Sequence, residues 1–380
     1  MAVKLKPLAD QVIVITGASS GIGLATARKA AKAGAAVVLA SRNEEALRTV
    51  CKEINDAGGR AHPVVGDVGD PADVEKISRA AVARFERFDT WINDAGVGLY
   101  GELMQTPAAD HERLFRTNYF GVVNGSLEAV KHFRKRGGSG AIINLGSVLS
   151  DVATPMLGAY SASKHAVKGF TDALRIELTR EKLPVAVTLI KPSSISTPFA
   201  DHARNLMDKA PRALPPHYAP DVVADAILHA AQHPIRDMAV GAGGRPLVLA
   251  SAAAPNFTDK LLAKIVPPLS RRRGEKVLGD NLYEAGSGGH TEGEHLRGRR
   301  FSVYTEAQKH QALVVGLGAL AVVGLAAFLG RGAIGRNARP VLARTIRPLV
   351  VGAAMRRPVA TAKMAAKHPG RAARLVSALR

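Results

Sequence analysis

The stretch Val12-Ile13-Val14-Ile15-Thr16-Gly17-Ala18-Ser19-Ser20-Gly21-Ile22-Gly23 decides the fold. A short β-branched run predicts a buried strand, and it leads directly into a glycine-rich turn and a helical pattern starting at Ile22. Glycines at such a turn let the backbone bend sharply and approach a pyrophosphate, whose charge the positive end of the following helix stabilises. A glycine motif alone is weak evidence; its place at the head of a strand–turn–helix series strengthens it. The rhythm continues downstream. Strands are predicted over 36–40, 61–67, 89–93, 140–147, 185–191 and 237–240, with helices from Asn43 and over 71–88, 107–136, 160–182 and 221–232. This βαβ alternation predicts an α/β protein with a parallel sheet.

The second strand ends Leu39-Ala40-Ser41-Arg42. A dinucleotide site that selects the unphosphorylated cofactor places a carboxylate at this strand end, where it binds the ribose hydroxyls and repels a 2′-phosphate. Ser41 and Arg42 instead offer a hydroxyl and a planar cation suited to a phosphate. NADP(H) is therefore expected over NAD, and Glu44 and Glu45 read as first-turn acids favourable to the helix dipole.

Ser147, Tyr160 and Lys164 form the candidate catalytic set. Tyr160 and Lys164 are four residues apart, which puts both on one face of a helix. A phenol titrating near pH 10 is a poor acid–base group at neutral pH, and a neighbouring ammonium lowers that value by favouring the phenolate. Ser147 closes a strand thirteen residues before Tyr160, where its hydroxyl could hold a substrate oxygen. His165, next to Lys164, points about 100° away around the helix and reads as structural. No metal site is expected.

In this order and spacing the chain resembles the short-chain dehydrogenases/reductases over residues 8–245. The resemblance rests on Thr16-Gly17-x-x-x-Gly21-x-Gly23, Asp67-Val68, Asn93-Asp94-Ala95-Gly96, Asn118-x-x-Gly121, Ser147, Tyr160-x-x-x-Lys164 and Pro192-x-x-x-x-Thr197-Pro198. It implies a Rossmann-type doubly wound parallel sheet and hydride transfer between a nicotinamide and a carbonyl or alcohol carbon. The implied catalytic residues are Asn118, Ser147, Tyr160 and Lys164. Tyr160 would donate the proton, Lys164 lower its pKa and hold the nicotinamide ribose, Ser147 stabilise the oxygen, and Asn118 support a water relay. The implied cofactor contacts are Gly17, Ser19, Ser20, Gly21, Ile22, Gly23, Ser41, Arg42, Asp67, Val68, Asn93, Ala95, Gly96, Tyr160, Lys164, Pro192, Ile195 and Thr197. Of these, Asp67 and Val68 would lie by the adenine, Asn93 support the cofactor and the sheet, and Thr197 reach the nicotinamide amide. Two positions depart from the family pattern. Asp94 replaces a usual asparagine and brings a negative charge near the cleft, and Ser193 replaces a usual glycine. Residues 196–218 occupy the place of the family's variable substrate lid, and Phe199, Leu206, Met207 and Leu214 hint at a lipophilic substrate.

The remaining features concern the carboxy-terminal third. The chain has 380 residues and one cysteine, Cys51, which excludes a disulfide scaffold or a cysteine-cluster metal site and favours a reducing compartment. Its net charge of +20 is unevenly spread: residues 1–250 carry 30 bases and 25 acids, whereas residues 331–380 carry 12 bases and no acid. A nearly balanced body with a basic tail points to an electrostatic anchor. The expected domains are the dehydrogenase body (1–250), an extension and linker (251–310) with a Gly- and Ser-rich, acidic stretch over 284–294, a membrane-helix candidate (311–330) and the basic tail (331–380). The 19 residues Ala312 to Gly330 are drawn only from Ala, Val, Leu, Gly and Phe and would span about 28 Å, close to a bilayer core. Membrane lipids are thus an expected partner beside a small-molecule substrate. A second copy of the chain is a further candidate, and nucleic acid is not expected. With no apolar signal before the first motif, the catalytic domain is expected in the cytoplasm, at a membrane. The alternative to an enzyme is a catalytically idle cofactor-binding or scaffold protein there.

Overall fold

The computed structural model describes residues 3–271, 280–293 and 297–309. Side chains alternate along β1 (Val12–Thr16), so Ile13 and Ile15 face one side of the sheet and Val12 and Val14 the other, and all four are buried. Burial on both faces requires helices on both sides, the arrangement of a parallel sheet. The strands that follow are β2 (Ala36–Ser41), β3 (Arg60–Val65), β4 (Thr90–Asn93), β5 (Leu99–Tyr100), β6 (Gly140–Leu145), β7 (Val185–Pro192), β8 (Arg204–Asn205) and β9 (Asp237–Val240). Seven of them form one parallel sheet in the order β3-β2-β1-β4-β6-β7-β9, and β5 pairs separately with β8. The order reverses at β1, which puts a crevice beyond the carboxyl ends of β1 and β4.

The helices are α1 (Gly21–Lys32), α2 (Glu44–Asp56), α3 (Pro71–Phe85), α4 (Ala108–Phe115), α5 (Gly121–Arg136), α6 (Gly158–Arg180), α7 (Phe199–His202), α8 (Pro220–Ala230), α9 (Arg245–Ala253), α10 (Pro255–Leu269) and α11 (Val303–Lys309). Leu24 of α1, Leu47 of α2 and Val223 and Ile227 of α8 cover the Ile13/Ile15 face. Ile77 of α3, Phe133 of α5 and Leu174 of α6 cover the Val12/Val14 face with Phe88 and Trp91. Each such side chain contributes about 1.5–3 kcal/mol on burial, so the two layers hold the crevice in place.

Two expectations change. The single helix over 107–136 is two helices joined by a π-turn, Arg116–Phe120. A π-turn inserts one residue into the helical ladder and re-aims the side chains around it, here including Asn118. After β9 the chain continues into α9 and α10. Finally, the stretch expected to be a linker packs against the body. Leu282 is fully buried with Val97, Leu99 and Leu114, and Gly289 N–H donates to Ser19 O. One buried leucine and backbone hydrogen bonds suffice to dock a Gly- and Ser-rich segment, and Met1–His310 forms one compact unit. The span candidate 311–330 and the basic tail lie outside the described residues. Among the described residues no helix is long and apolar enough to cross a membrane.

Candidate active site

Ser147 follows β6 in extended conformation and caps the short turn Val148–Ser150. Its Oγ accepts from Leu149 N–H at 3.1 Å, while Ser150 Oγ accepts from Ser147 N–H at 3.1 Å. This reciprocal box fixes the hydroxyl at the strand end, where it is hydrogen-bonded to Tyr160. α6 starts at Gly158, so Tyr160 and Lys164 lie one turn apart on the same face. Lys164 Nζ is 5.7 Å from the Tyr160 ring centroid, buried, and donates to Leu145 O at 2.7 Å.

The electrostatics depart from expectation. Burial pushes the Tyr160 phenol up, its bond with Ser147 opposes this, and the Asp94 carboxylate adds to it. Burial pushes Lys164 down to about 8, with Asp94 holding it up. Asp94 itself is raised by burial to about 7, against the pull of Lys164 and of the Gly23 N–H. Asp94 is therefore the partner of Lys164 beneath the α1 N-terminus, and its charge offsets the field expected to lower the tyrosine. Tyr160 is held as a protonated phenol, the form a proton donor needs.

Asn118 is fully buried. Its Oδ1 accepts from Val97 N–H at 2.8 Å, and its Nδ2 donates to Val97 O at 3.0 Å and Ser163 Oγ at 3.2 Å. Ser163 Oγ in turn donates to Tyr160 O at 2.7 Å. The π-turn thus clamps Asn118 between the β4 loop and the backbone of the tyrosine's own helix. Asn93 is set under the sheet: its Oδ1 accepts from Trp91 Nε1 at 2.8 Å, and its Nδ2 donates to Asn144 Oδ1 at 2.8 Å and Ser126 Oγ at 3.1 Å. Neither asparagine lines the cavity, and neither does Gly23.

The cavity, about 440 Å³, runs along the carboxyl ends of the strands. Gly17, Ser19, Ser20, Gly21, Ile22, Ser41, Arg42, Asp67, Val68, Ala95 and Gly96 line one end, and Ser147, Tyr160, Lys164, Pro192, Ile195 and Thr197 the middle. Gly17 has φ +72°, and any Cβ there would stand 2.8 Å from the Ala95 backbone, so only glycine closes this floor. Asp67 is held as carboxylate by Gly69 N–H and by Arg113 Nη2 at 2.7 Å, against its burial. Arg42 is half-buried at the wall. A dinucleotide fits this donor set on one further observation. The buried side-chain oxygens without a hydrogen-bond partner among the described residues, Thr117 Oγ1, Ser193 Oγ and Asn281 Oδ1, all belong to cavity-lining residues. Each costs about 1–3 kcal/mol unless met, and side-chain rotation toward a polar ligand in the cavity that these residues line would meet them. Sequence reasoning missed Thr117, Ser163 and the 281–287 wall, and singled out Ser193 only as a departure from the family pattern.

The far end is apolar. Phe199 stacks edge-on to Tyr160 with centroids 5.3 Å apart, and Leu214, Pro215, Leu247 and Val266 extend the wall beyond it. Of the four apolar lid residues, Phe199 and Leu214 face the cavity, whereas Leu206 and Met207 dock the lid on neighbouring clusters. Ser150 belongs to the cap, and Asp151 pairs with Lys168 and Lys191. His165 Nδ1–H donates to Ser161 O at 2.8 Å.

The family profile for short chain dehydrogenase matches residues 11–207. The chain is 44% identical over 326 residues to the uncharacterized oxidoreductase YxnA of Bacillus subtilis (strain 168), covering 83% of this chain and 90% of that one. It is 32% identical over 291 residues to the uncharacterized oxidoreductase Rv1543 of Mycobacterium tuberculosis (strain ATCC 25618 / H37Rv), covering 75% and 80%. Among solved structures, a short chain dehydrogenase/reductase from Burkholderia phymatum in complex with NAD superposes with a TM-score of 0.60 at 28% identity, over 68% of this chain and 96% of that one.

Proposed function

The chain belongs to the short chain dehydrogenase family and is an NAD(P)-dependent oxidoreductase; from that premise we propose that it uses NADP(H) to interconvert a lipophilic carbonyl compound and its alcohol at a membrane surface. The observation that carries the chemistry is the convergence of Ser147, Tyr160 and Lys164 on the middle of one cavity whose two ends differ in polarity. When bound along the polar end, the nicotinamide dinucleotide supplies or accepts the hydride. Ser147 Oγ and the Tyr160 phenol, already hydrogen-bonded to each other, hold the substrate oxygen between them, and the phenol donates its proton as charge develops there. Proton donation of this kind is worth about 10²–10⁴-fold. Lys164 faces the cavity from below Tyr160 and anchors the ribose. Asn118 acts as a positioning residue by fixing the backbone of residues 97 and 160.

NADP(H) is favoured because β2 ends in Ser41 and Arg42 without a carboxylate, while the nearby acid, Asp67, is engaged by Arg113. A lipophilic substrate is favoured by the wall from Phe199 to Val266. The membrane reading gains support from α10. Phe257, Leu261, Ile265 and Leu269 recur every four residues and are 42–67% exposed, and Leu249 of the preceding α9 is 54% exposed. Lys260 and Lys264 flank this stripe, as on a helix that lies in a lipid interface, and the opposite face of α10 carries Val266 into the cavity wall. We place the catalytic domain on the cytoplasmic face. The test is NADPH consumption by the detergent-purified chain across steroid, retinoid, fatty and short-chain aldehydes and ketones, in parallel with NADH. Turnover of the long apolar carbonyls with NADPH is expected. Confirmed cofactor binding with no turnover of any class would refute the enzymatic part.

A further inference from the structure

We propose that residues 280–293 are part of the dinucleotide site itself: a strap that closes the adenosine half of the cleft and contributes Asn281 to it. The proposal rests on the cofactor reading above. The strap reaches the elements which that reading assigns to the cofactor, although it lies 239 residues beyond Arg42 in the chain. Arg42 Nη2 donates to Asn281 O, and its Nη1 lies 3.5 and 3.3 Å from Leu282 O and Tyr283 O. Asn43 Nδ2 donates to Gly286 O at 2.9 Å. At the glycine turn, Gly289 N–H donates to Ser19 O at 2.9 Å and Gly21 N–H to His290 O at 3.0 Å. On the opposite bank, Asn281 N–H donates to His202 O at 2.8 Å, His202 Nε2 bonds Ser287 Oγ at 2.7 Å, and Gly293 N–H donates to Ser196 O at 3.0 Å. The strap therefore bridges the nucleotide side of the crevice to the substrate lid.

Its first residues are firmly seated. Leu282 is buried, Asp280 pairs with Arg204, and Tyr283 Oη donates to Asp110 at 2.7 Å. Beyond this anchor Ala285, Gly286 and Ser287 line the cavity while their outer surfaces are exposed or half-exposed, so this part is the cover. Asn281, at the junction, has a buried Oδ1 with no partner among the described residues, next to Arg42. Asn281 lines the cavity, and rotation of its side chain that turns this oxygen inward lets a ribose hydroxyl or amino group of the adenosine half supply the missing donor. A cofactor lying under these residues leaves only when the cover lifts off α2 and the glycine turn. Gly288 makes the closed position possible, because a Cβ there would overlap the Ala46 side chain.

The experiment uses the full chain, its Asn281→Ala variant and its Gly288→Val variant, with NADPH as probe. Dissociation is followed by the fluorescence of bound NADPH during a chase with excess NADP⁺, affinity by calorimetry, and cover position by cleavage after the exposed Glu284 with a Glu-specific protease. Asn281→Ala is expected to weaken NADPH about tenfold, the scale of one buried hydrogen bond. Gly288→Val is expected to speed dissociation at least about tenfold, and NADPH to protect Glu284 in the unmodified chain. Dissociation rates and affinities within twofold of the unmodified chain in both variants, or cleavage indifferent to NADPH, overturn the proposal. Binding by Gly288→Val alone would make the segment a plug and also overturn it. If none of the three proteins binds NADPH or NADH, the cofactor reading itself falls, and the strap's role with it.

Discussion

Asn93→Ala separates a structural from a cofactor role for a residue that resemblance assigns to both. Asn93 makes three buried side-chain hydrogen bonds, joining Trp91 on its own strand, Ser126 on α5 and Asn144 on β6. Each neutral buried bond contributes about 1 kcal/mol net. The substitution also leaves the Trp91 indole N–H buried without an acceptor, which costs a further 1–3 kcal/mol or so, while Asn144 Oδ1 keeps Ser126 Oγ at 3.3 Å. The expected loss is about 4–6 kcal/mol, or about 6–9 °C in Tm for a unit the size of Met1–His310. The assay is guanidinium unfolding followed by circular dichroism, with the slope compared between proteins, beside calorimetric NADPH binding at a temperature where both are folded. Affinity per folded molecule should stay within about threefold, because Asn93 does not line the cavity. A stability loss below about 1 kcal/mol, or a tenfold loss of affinity without one, would refute the reasoning.

Tyr160→Phe should lower turnover at least about 10²-fold with an identified substrate while NADPH affinity changes little, and unchanged rates would remove Tyr160 from the chemistry. Arg42→Ala should weaken NADPH at least tenfold more than NADH by calorimetry, and equal losses would mean that Arg42 serves only the strap. Because Lys164 titrates at about 8, the reductive rate should fall as pH rises through that value; Asp94→Asn removes the anion that favours the ammonium, so the break should move to lower pH, and an unmoved break would separate the two groups. The same depressed value predicts a stability term. Between about pH 8 and the unfolded value of 10.5 the unfolded chain binds more protons at Lys164, so stability gains from this group as pH rises, and Lys164→Met should abolish that slope in unfolding titrations.

Much of the site was legible because its signals are local. The β1 run, the glycine turn and the start of α1 are contiguous, and the spacing from Tyr160 to Lys164 carries its geometry within one helix. Resemblance then brought Ser147 and Asn118 to the same place, and the structure adds the π-turn that aims Asn118 at Val97 and Ser163. What lay hidden was the environment. Asp94 was visible as a charge but not as the partner of Lys164, since that depends on how β4 and α6 meet. The strap had no side-chain pattern to read, for glycine, serine and acidic residues compose linkers and docked segments alike.

The sequence by itself determined the strand order's starting motif, the alternation that requires a doubly covered parallel sheet, and the tyrosine–lysine face, because periodicity and short turns act over a few residues. Tertiary structure alone decided that Asn93 serves the core, that Asp94 offsets Lys164, and that residues 280–293 return to the cleft. Those outcomes depend on burial and on backbone hydrogen bonds between segments far apart in the chain, and neither is written in the residues of one segment.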